Sequence, residues 1–183
     1  EGQMLDMNFE ERMDVSIPEY IEMIRLKTSV LIAASLEIGA LAGGADIKSA
    51  KELYDFGLNL GLAFQLQDDL LDSFGDTGTF GKKVGNDILT NKKTYLMISA
   101  LNLSKAEEKN QLLDILNSPN FDPEEKIKTV LSIYDKCSVK QLAVAEINRY
   151  FDLALQKLEN IAVEGSRKKV LRKFCEELKG REY

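Results

Sequence analysis

The stretch FQLQDDLLD at residues 64–72 constrains the fold of this chain more than any other feature. Its polar residues recur three and four positions apart, which places them on one face of an α-helix, while the leucines between them lie mostly on the other side. The residues on the polar face are Gln65, Asp68, Asp69 and Asp72. The stretch therefore predicts a helix with one acidic face and one apolar face.

The acidic face of this helix needs a counter-charge. At an effective dielectric constant near 20, two carboxylates about 6 Å apart repel each other by roughly 3 kcal/mol. A divalent cation removes this repulsion, and aspartate oxygens are ligands that suit Mg²⁺. A solvated acidic surface is the alternative interpretation, but the apolar residues Phe64, Leu66 and Leu70 surround the carboxylates and disfavour it. We therefore predict a magnesium-binding helix face.

The overall charge of the chain limits its partners. Its 183 residues are enough for one domain with a core, and they carry a net charge of −6. A nucleic-acid-binding surface is not expected in so acidic a chain. An acidic protein that binds an anionic substrate needs metal ions or local lysines, and both are considered below.

The chain contains no histidine, which excludes a histidine base, a Ser-His-Asp triad and histidine metal ligands. Cys137 and Cys175 lie far apart without CxxC spacing, which predicts a reducing, cytoplasmic compartment and no zinc site. No uncharged apolar run reaches membrane-spanning length and no signal peptide is recognised, so stable membrane insertion is not expected. The sequence begins with Glu1, and we expect it to start inside a longer protein.

Helix signals dominate the chain, and neither an alternating strand pattern nor an internal repeat is found. The predicted fold class is therefore all-α, with short connections between antiparallel neighbours. Gly57 and Gly61 lie one turn apart on the acidic helix, where they let a neighbouring backbone or a ligand come close. Capping motifs and glycine stops predict helices over about 16–41, 46–75, 92–103 and 166–179, a loop over 75–91, and further helix starts at Ser104, Asp122 and Ser138.

Lysines beside glycines follow the acidic helix, in GKKVGND at 81–87 and NKKT at 91–94. Such lysines can reach a phosphate as point charges, although an exposed basic loop is the alternative. Lys27 and Thr28 precede a helix that is apolar almost all round. A cation there is more economically explained by an anion in a cavity than by a surface position. With the acidic face, these lysines fit a diphosphate that carries an apolar tail.

In order and spacing, GQMLD at 2–6, KT at 27–28, FQLQDDLLD at 64–72 and the GK…GND…NKKT segment at 81–94 resemble the trans-isoprenyl diphosphate synthases, the polyprenyl synthetase family. The farnesyl and geranylgeranyl diphosphate synthases are similar members. The resemblance implies an all-α isoprenoid synthase-type bundle around a central cavity, with residues 1–183 as the carboxy-terminal part of a single domain. It also implies a Mg²⁺-dependent reaction in which an allylic diphosphate loses its diphosphate and isopentenyl diphosphate attacks the resulting cation.

The resemblance assigns roles to individual residues. Lysines would hold the allylic diphosphate, and the hydroxyl and amide dipoles would face the developing cation, which fixed dipoles stabilise without reorganising. The residues implied in substrate binding or catalysis are Gln3, Lys27, Thr28, Gln65, Lys82 and Lys92. The residues implied as metal ligands or their supports are Asp6, Asp68, Asp69, Asp72 and Asp87.

One departure from the family pattern affects the expected activity. The family's first DDxxD motif and the arginines that bind isopentenyl diphosphate lie before GQxxD and are not among these 183 residues. We therefore expect the chain alone to be inactive and the longer protein to be an active homodimer. The alternatives are a noncatalytic partner subunit, a purely structural helical module and a terpene cyclase. The basic loop with Lys82 and Lys92 favours chain elongation over cyclisation.

Overall fold

A computed structural model describes residues 1–75, 84–118 and 121–180. Within these ranges the chain forms α-helices and no β-strand, which confirms the all-α prediction, and no helix there is long and apolar enough to cross a lipid bilayer. The helices are α1 (Gly2–Glu10), α2 (Ile17–Ile24), α3 (Val30–Ala42), α4 (Ile47–Phe74), α5 (Asn86–Leu89), α6 (Tyr95–Leu103), α7 (Ala106–Asn117), α8 (Pro123–Lys136), α9 (Val139–Glu159) and α10 (Gly165–Lys179).

Two helices begin at the capping motifs that the sequence predicts. Before α2, the Ser16 N–H donates to Glu19 Oε2 at 2.9 Å, and the Glu19 N–H donates to Ser16 Oγ at 3.4 Å. This reciprocal pair is a capping box. Before α8, the Asp122 carboxylate accepts the backbone N–H groups of Glu124 and Glu125. These caps satisfy N–H groups that have no partner inside the helix.

Two other predicted helix starts differ from the structure by one to three residues. Helix α6 begins after Thr94 rather than at 92, because Thr94 Oγ1 accepts the Met97 N–H as the helix cap. Helix α7 begins at Ala106, and its N-cap is Lys105 rather than the predicted Ser104. The Ser104 hydroxyl instead donates to a carbonyl of α6 at 2.5 Å, so it closes the preceding helix and does not cap the next one.

The helix predicted over 16–41 is interrupted by a π-helical segment, Arg25–Ser29, between α2 and α3. Such segments often occur at functional sites. This one carries Lys27 and Thr28, which the sequence predicts as substrate-binding residues. The end of α3 is as predicted, because the helix stops at Gly43 and Gly44 follows with a left-handed φ of 82°.

The chain divides into two compact units. Among the described residues, the first contains 1–4, 21–65 and 145–180, and the second contains 5–20, 66–75, 84–118 and 121–144. The boundary follows Gln65, so helix α4 contributes residues to both units. The interpretation of 1–183 as part of a single domain stays a prediction.

In the first unit, α4 packs closely against the π-helical segment and α3. A Cβ at Gly61 would lie 2.6 Å from the Ser29 Cα, and a Cβ at Gly57 would lie 2.9 Å from the Ala33 Cα. Real Cβ atoms do not approach so closely, so only glycine fits at these two positions. The prediction that these glycines admit a neighbouring backbone is confirmed.

Candidate active site

A buried charged cluster surrounds Asp69 of helix α4 in the second unit. The Asp69 residue is 1% exposed, and its Oδ1 accepts the Lys92 Nζ at 3.0 Å. The Lys92 Nζ also donates to Asp87 Oδ2 at 3.1 Å. The other Asp69 oxygen, Oδ2, accepts the Tyr20 hydroxyl at 2.5 Å. The structure thus joins two predicted acidic residues through one predicted lysine, and it adds a tyrosine to which the sequence assigned no role.

Asp72 and Asp87 are linked through the backbone. The Asp87 N–H donates to Asp72 Oδ2 at 2.8 Å, and the Gly85 N–H donates to the Asp72 carbonyl at 2.6 Å. Gly85 has a φ of 89°, in the left-handed region that favours glycine, and it starts the four-residue helix α5. This short helix lies within the loop predicted over 75–91, and it brings Asp87 to the acidic face of α4.

Burial and charge perturb the acid–base properties of this cluster. Burial raises the pKa of Asp72 and raises the pKa of Asp87 to about 6, with neighbouring carboxylates adding to both effects. Burial lowers the pKa of Lys92, but attraction to Asp69 and Asp87 outweighs it and leaves that pKa above its usual range. Three acidic side chains, those of Asp69, Asp72 and Asp87, thus lie around the single ammonium of Lys92, and this excess of acidic groups favours a further cation.

Two buried lysines, Lys93 and Lys126, hold the turn that carries Lys92. Asn91 lies in the left-handed region with a φ of 58°, and its Oδ1 accepts the Lys126 Nζ at 2.6 Å. The Lys126 Nζ also donates to the Leu89 carbonyl at 3.0 Å, and the Lys93 Nζ donates to the Asn91 carbonyl at 3.0 Å. These bonds fix the backbone immediately before Lys92. The Lys126 side chain reaches the turn from helix α8.

Asp68 lies next to Asp69 in sequence but has different surroundings. It is exposed, and its carboxylate makes no hydrogen bond or ion pair with any residue in the described ranges. Asp6, on α1, is partly exposed and adds to the elevation of the Tyr20 pKa, so it lies near the same cluster. With respect to the described residues, the Asp68 oxygens are thus open to a ligand.

In the first unit, the predicted residues Thr28 and Gln65 are brought together. The Thr28 Oγ1 donates to Gln65 Oε1 at 3.0 Å. Gly2 of the GQMLD motif packs directly on the backbone of Lys27, so tightly that an added Cβ would overlap the Lys27 nitrogen. Gln3 and Lys27 are exposed residues in this unit. The motif glycine is therefore explained by close packing against the π-helical segment.

The donors present fit Mg²⁺, although they do not form a complete metal cage. In residues 1–75, 84–118 and 121–180, no group of three or more Asp, Glu, Cys or His side chains is arranged to hold a metal. Mg²⁺ characteristically keeps several waters and binds through one or two carboxylates plus substrate phosphates. Among the described residues, neither Asp68 oxygen has a partner, and Asp72 uses only Oδ2. This donor set matches such a site.

Sequence patterns missed three features, one in the first unit and two in the second. The sequence pattern around Tyr20 is typical of a buried helix position, and that around Lys126 is typical of an amphipathic helix. The π-helical segment has no characteristic residue propensity. Only the proximity of each to a motif residue reveals its place. Lys82 lies outside the described residues, so its role stays a prediction.

Comparison with known proteins gives a consistent result. Residues 1–134 match the family model for polyprenyl synthetase. A short chain isoprenyl diphosphate synthase of Methanothermobacter thermautotrophicus is 38% identical over 159 residues, which cover 87% of this chain and 48% of the relative. The chain spans about half the length of the curated relatives it matches.

Solved structures with the same fold cover the whole chain. A crystal structure of a geranylgeranyl pyrophosphate synthase superposes with a TM-score of 0.91 at 41% identity, over 100% of this chain and 57% of that one. A polyprenyl synthase from Caulobacter crescentus, solved in complex with calcium and isoprenyl diphosphate, superposes with a TM-score of 0.89 at 28% identity, over 100% and 55% of the two chains. The isoprenoid synthase-type helical fold predicted from the sequence is confirmed.

Proposed function

Because this chain belongs to the polyprenyl synthetase family, we propose that it forms part of a Mg²⁺-dependent prenyltransferase. The reaction joins an allylic diphosphate head-to-tail to isopentenyl diphosphate and yields a longer isoprenyl diphosphate. The observation that carries this proposal is the acidic face of α4, where Asp69, together with Asp87 of α5, holds Lys92 and where Asp68 is exposed. The names of its relatives support the reaction class, and the calcium and isoprenyl diphosphate of the Caulobacter structure support a cation–diphosphate site.

The residues of the second unit would bind the leaving group. Asp68 and Asp72 would hold Mg²⁺, with Asp6 and Asp87 as supports. When bound, the metal would act as a Lewis acid that withdraws charge from the diphosphate. Lys92 would place its ammonium beside the same diphosphate, and Lys82 would be a further phosphate-binding lysine. An ammonium is a compact point charge suited to this contact.

Bond changes in this reaction need no side-chain nucleophile. The allylic carbon–oxygen bond breaks and its electron pair leaves with the diphosphate. The double bond of isopentenyl diphosphate then forms the new carbon–carbon bond, and a proton is lost to the departing diphosphate. Thr28, Gln65 and the Lys27 carbonyl would orient their dipoles toward the allylic cation, and Gln3 and Lys27 would contact substrate. The absence of histidine is consistent with this scheme.

The experiment that tests the proposal is an incorporation assay with labelled isopentenyl diphosphate and an allylic diphosphate. It uses the longest natural chain that contains these residues, with Mg²⁺ and then with a chelator. We expect a longer linear diphosphate as product, loss of activity with the chelator, and a fall of at least 100-fold for Asp68→Asn. Asp114→Asn, an exposed aspartate of α7, is the matched control and is expected to retain full activity.

Other outcomes of this assay point to other functions. A cyclic hydrocarbon product would identify a terpene cyclase. No turnover by a well-folded protein, with activity restored to a second subunit on mixing, would identify a noncatalytic partner. Full activity of Asp68→Asn would remove the metal role from this residue. We expect the 183 residues alone to give no turnover.

The proposal extends to assembly and location. We propose a homodimer in the cytoplasm. Both cysteines, Cys137 and Cys175, are free thiols, which is consistent with a reducing compartment. Light scattering of the purified protein tests the dimer, because a mass equal to one chain would exclude it. Fractionation of its native cells tests the location.

A further inference from the structure

Tyr20 is a buried tyrosine whose hydroxyl points at the acidic helix. It is 0% exposed, and its hydroxyl donates to Asp69 Oδ2 at 2.5 Å. Its ring packs edge-on against the ring of Tyr95, with the centroids 6.4 Å apart and the planes at 60°. The packed ring leaves the hydroxyl a single direction, so the hydrogen bond to Asp69 is held by the core of the unit.

Asp69 has protein partners on both of its oxygens. Oδ2 is taken by Tyr20 and Oδ1 by the Lys92 ammonium. A buried carboxylate is costly unless it is both paired and hydrogen-bonded, and these two donors supply both conditions. Asp68, one position earlier, is exposed and makes no such contact within the described residues. The adjacent aspartates of DDLLD therefore face different surroundings.

Lys92 depends on Asp69 for its direction. A lysine side chain has four rotatable carbon–carbon bonds, and its ammonium can donate to acceptors in many different arrangements. Here Asp69 and Asp87 hold the ammonium from two sides, at 3.0 and 3.1 Å. Without the Tyr20 hydroxyl, Asp69 could turn about its side-chain bonds and one of the two supports would be lost.

We propose that Tyr20 and Asp69 are positioning residues that aim the Lys92 ammonium at the diphosphate of the allylic substrate, and that Asp69 does not bind the metal. Asp68 and Asp72 then carry the metal. This inference rests on the function proposed above, and it narrows the role that the sequence implied for Asp69.

The first test compares two adjacent, isosteric changes, Asp68→Asn and Asp69→Asn. Mn²⁺ binding is measured by water proton relaxation at an inorganic diphosphate concentration that saturates every variant. We expect Asp68→Asn to weaken Mn²⁺ binding at least tenfold and Asp69→Asn to change it less than threefold. Equal weakening by both variants would make Asp69 a ligand and overturn the inference. If neither variant weakens binding, the proposed metal site fails, whereas the coupling measured next is unaffected.

The second test is a double-mutant cycle between Tyr20→Phe and Lys92→Met. In the longest natural chain that contains these residues, the dissociation constant of an allylic diphosphate is measured by calorimetry and its KM by initial rates. We expect Tyr20→Phe to raise both constants about tenfold when Lys92 is present and less than twofold in the Lys92→Met background. A purely structural tyrosine would give the same factor in both backgrounds, and that result would overturn the inference.

Two further variants make the cycle decisive. Asp69→Asn should raise both constants in the same way as Tyr20→Phe, and again only when Lys92 is present. This variant can take the place of Tyr20→Phe in the cycle if the tyrosine variant folds poorly. Tyr150→Phe removes the hydroxyl of a buried tyrosine in the other unit and should leave both constants unchanged. If the unaltered protein binds no allylic diphosphate, the proposed function itself is wrong. Binding with an additive cycle refutes only the positioning role.

Discussion

Replacing Lys126 with methionine tests how the turn before Lys92 is held. Lys126 is buried, and its ammonium donates to the Leu89 carbonyl at 3.0 Å and to Asn91 Oδ1 at 2.6 Å. Methionine fills a similar volume but leaves two buried acceptors without a donor, at about 1–3 kcal/mol each. Part of this loss in stability is offset, because methionine removes the cost of burying an ammonium and buries an apolar thioether instead. We expect a net destabilisation of about 2 kcal/mol.

The assay is urea unfolding followed by circular dichroism, with a thermal scan alongside. For a chain of this size, about 2 kcal/mol corresponds to a fall in Tm of about 4–8 °C. The matched control is Lys128→Met, the same change on an exposed residue of the same helix, and it should stay within about 0.5 kcal/mol of the unaltered chain. An unchanged or higher free energy of unfolding for Lys126→Met would refute the reasoning, because the two hydrogen bonds would then contribute no net stability.

The same variant has a pH signature with a definite sign. Burial lowers the pKa of Lys126 below its ordinary value of 10.5. In the pH window between the lowered pKa and 10.5, the unfolded chain binds more protons at this residue than the folded chain does, so its contribution to stability rises with pH. Lys126→Met should lose this rise and Lys128→Met should keep it. Unfolding curves at several alkaline pH values give the comparison.

Three further predictions concern packing, capping and thiol reactivity. Gly61→Ala should destabilise the chain by about 1–3 kcal/mol, since its Cβ would lie 2.6 Å from a backbone atom of the π-helical segment. The control, Gly39→Ala, places its Cβ where nothing lies within 4 Å and should stabilise the chain by about 0.5–1 kcal/mol. Urea unfolding of both variants measures the two free energies, and equal changes would contradict the packing argument. Asp122→Ala removes the cap of α8 and should cost about 1 kcal/mol in the same assay, and an unchanged midpoint would contradict this. A thiol reagent at pH 8 should modify Cys137 rapidly and Cys175 slowly, because Cys175 is buried and burial raises its pKa to about 11. A mass-spectrometric time course measures the two rates of modification, and equal rates would refute the predicted difference.

Helix existence could be predicted from the sequence because local chemistry determines it. Ser16 with Glu19, Asp122 with its two N–H donors, and the glycines after α3 act over three or four residues, and each is present in the sequence itself. The predicted starts at 92 and at Ser104 differ from the structure because a hydroxyl near a helix boundary can cap the next helix or bond back to the preceding one, and the sequence does not show which. The structure uses Thr94 as a cap and turns Ser104 back toward α6.

The candidate site was predicted only in part, and the reason lies in the width of a helix face. Gln65, Asp68, Asp69 and Asp72 were placed together by their spacing, but consecutive residues on a helix differ by about 100°. That angle is enough to leave Asp68 exposed while Asp69 points into the core toward Tyr20. Periodicity gives the direction of a side chain but not what lies opposite it, because the opposing group comes from a residue 49 positions away in sequence. The different surroundings of these two adjacent aspartates are therefore a property of tertiary packing, and they are identified only through a partner such as Tyr20.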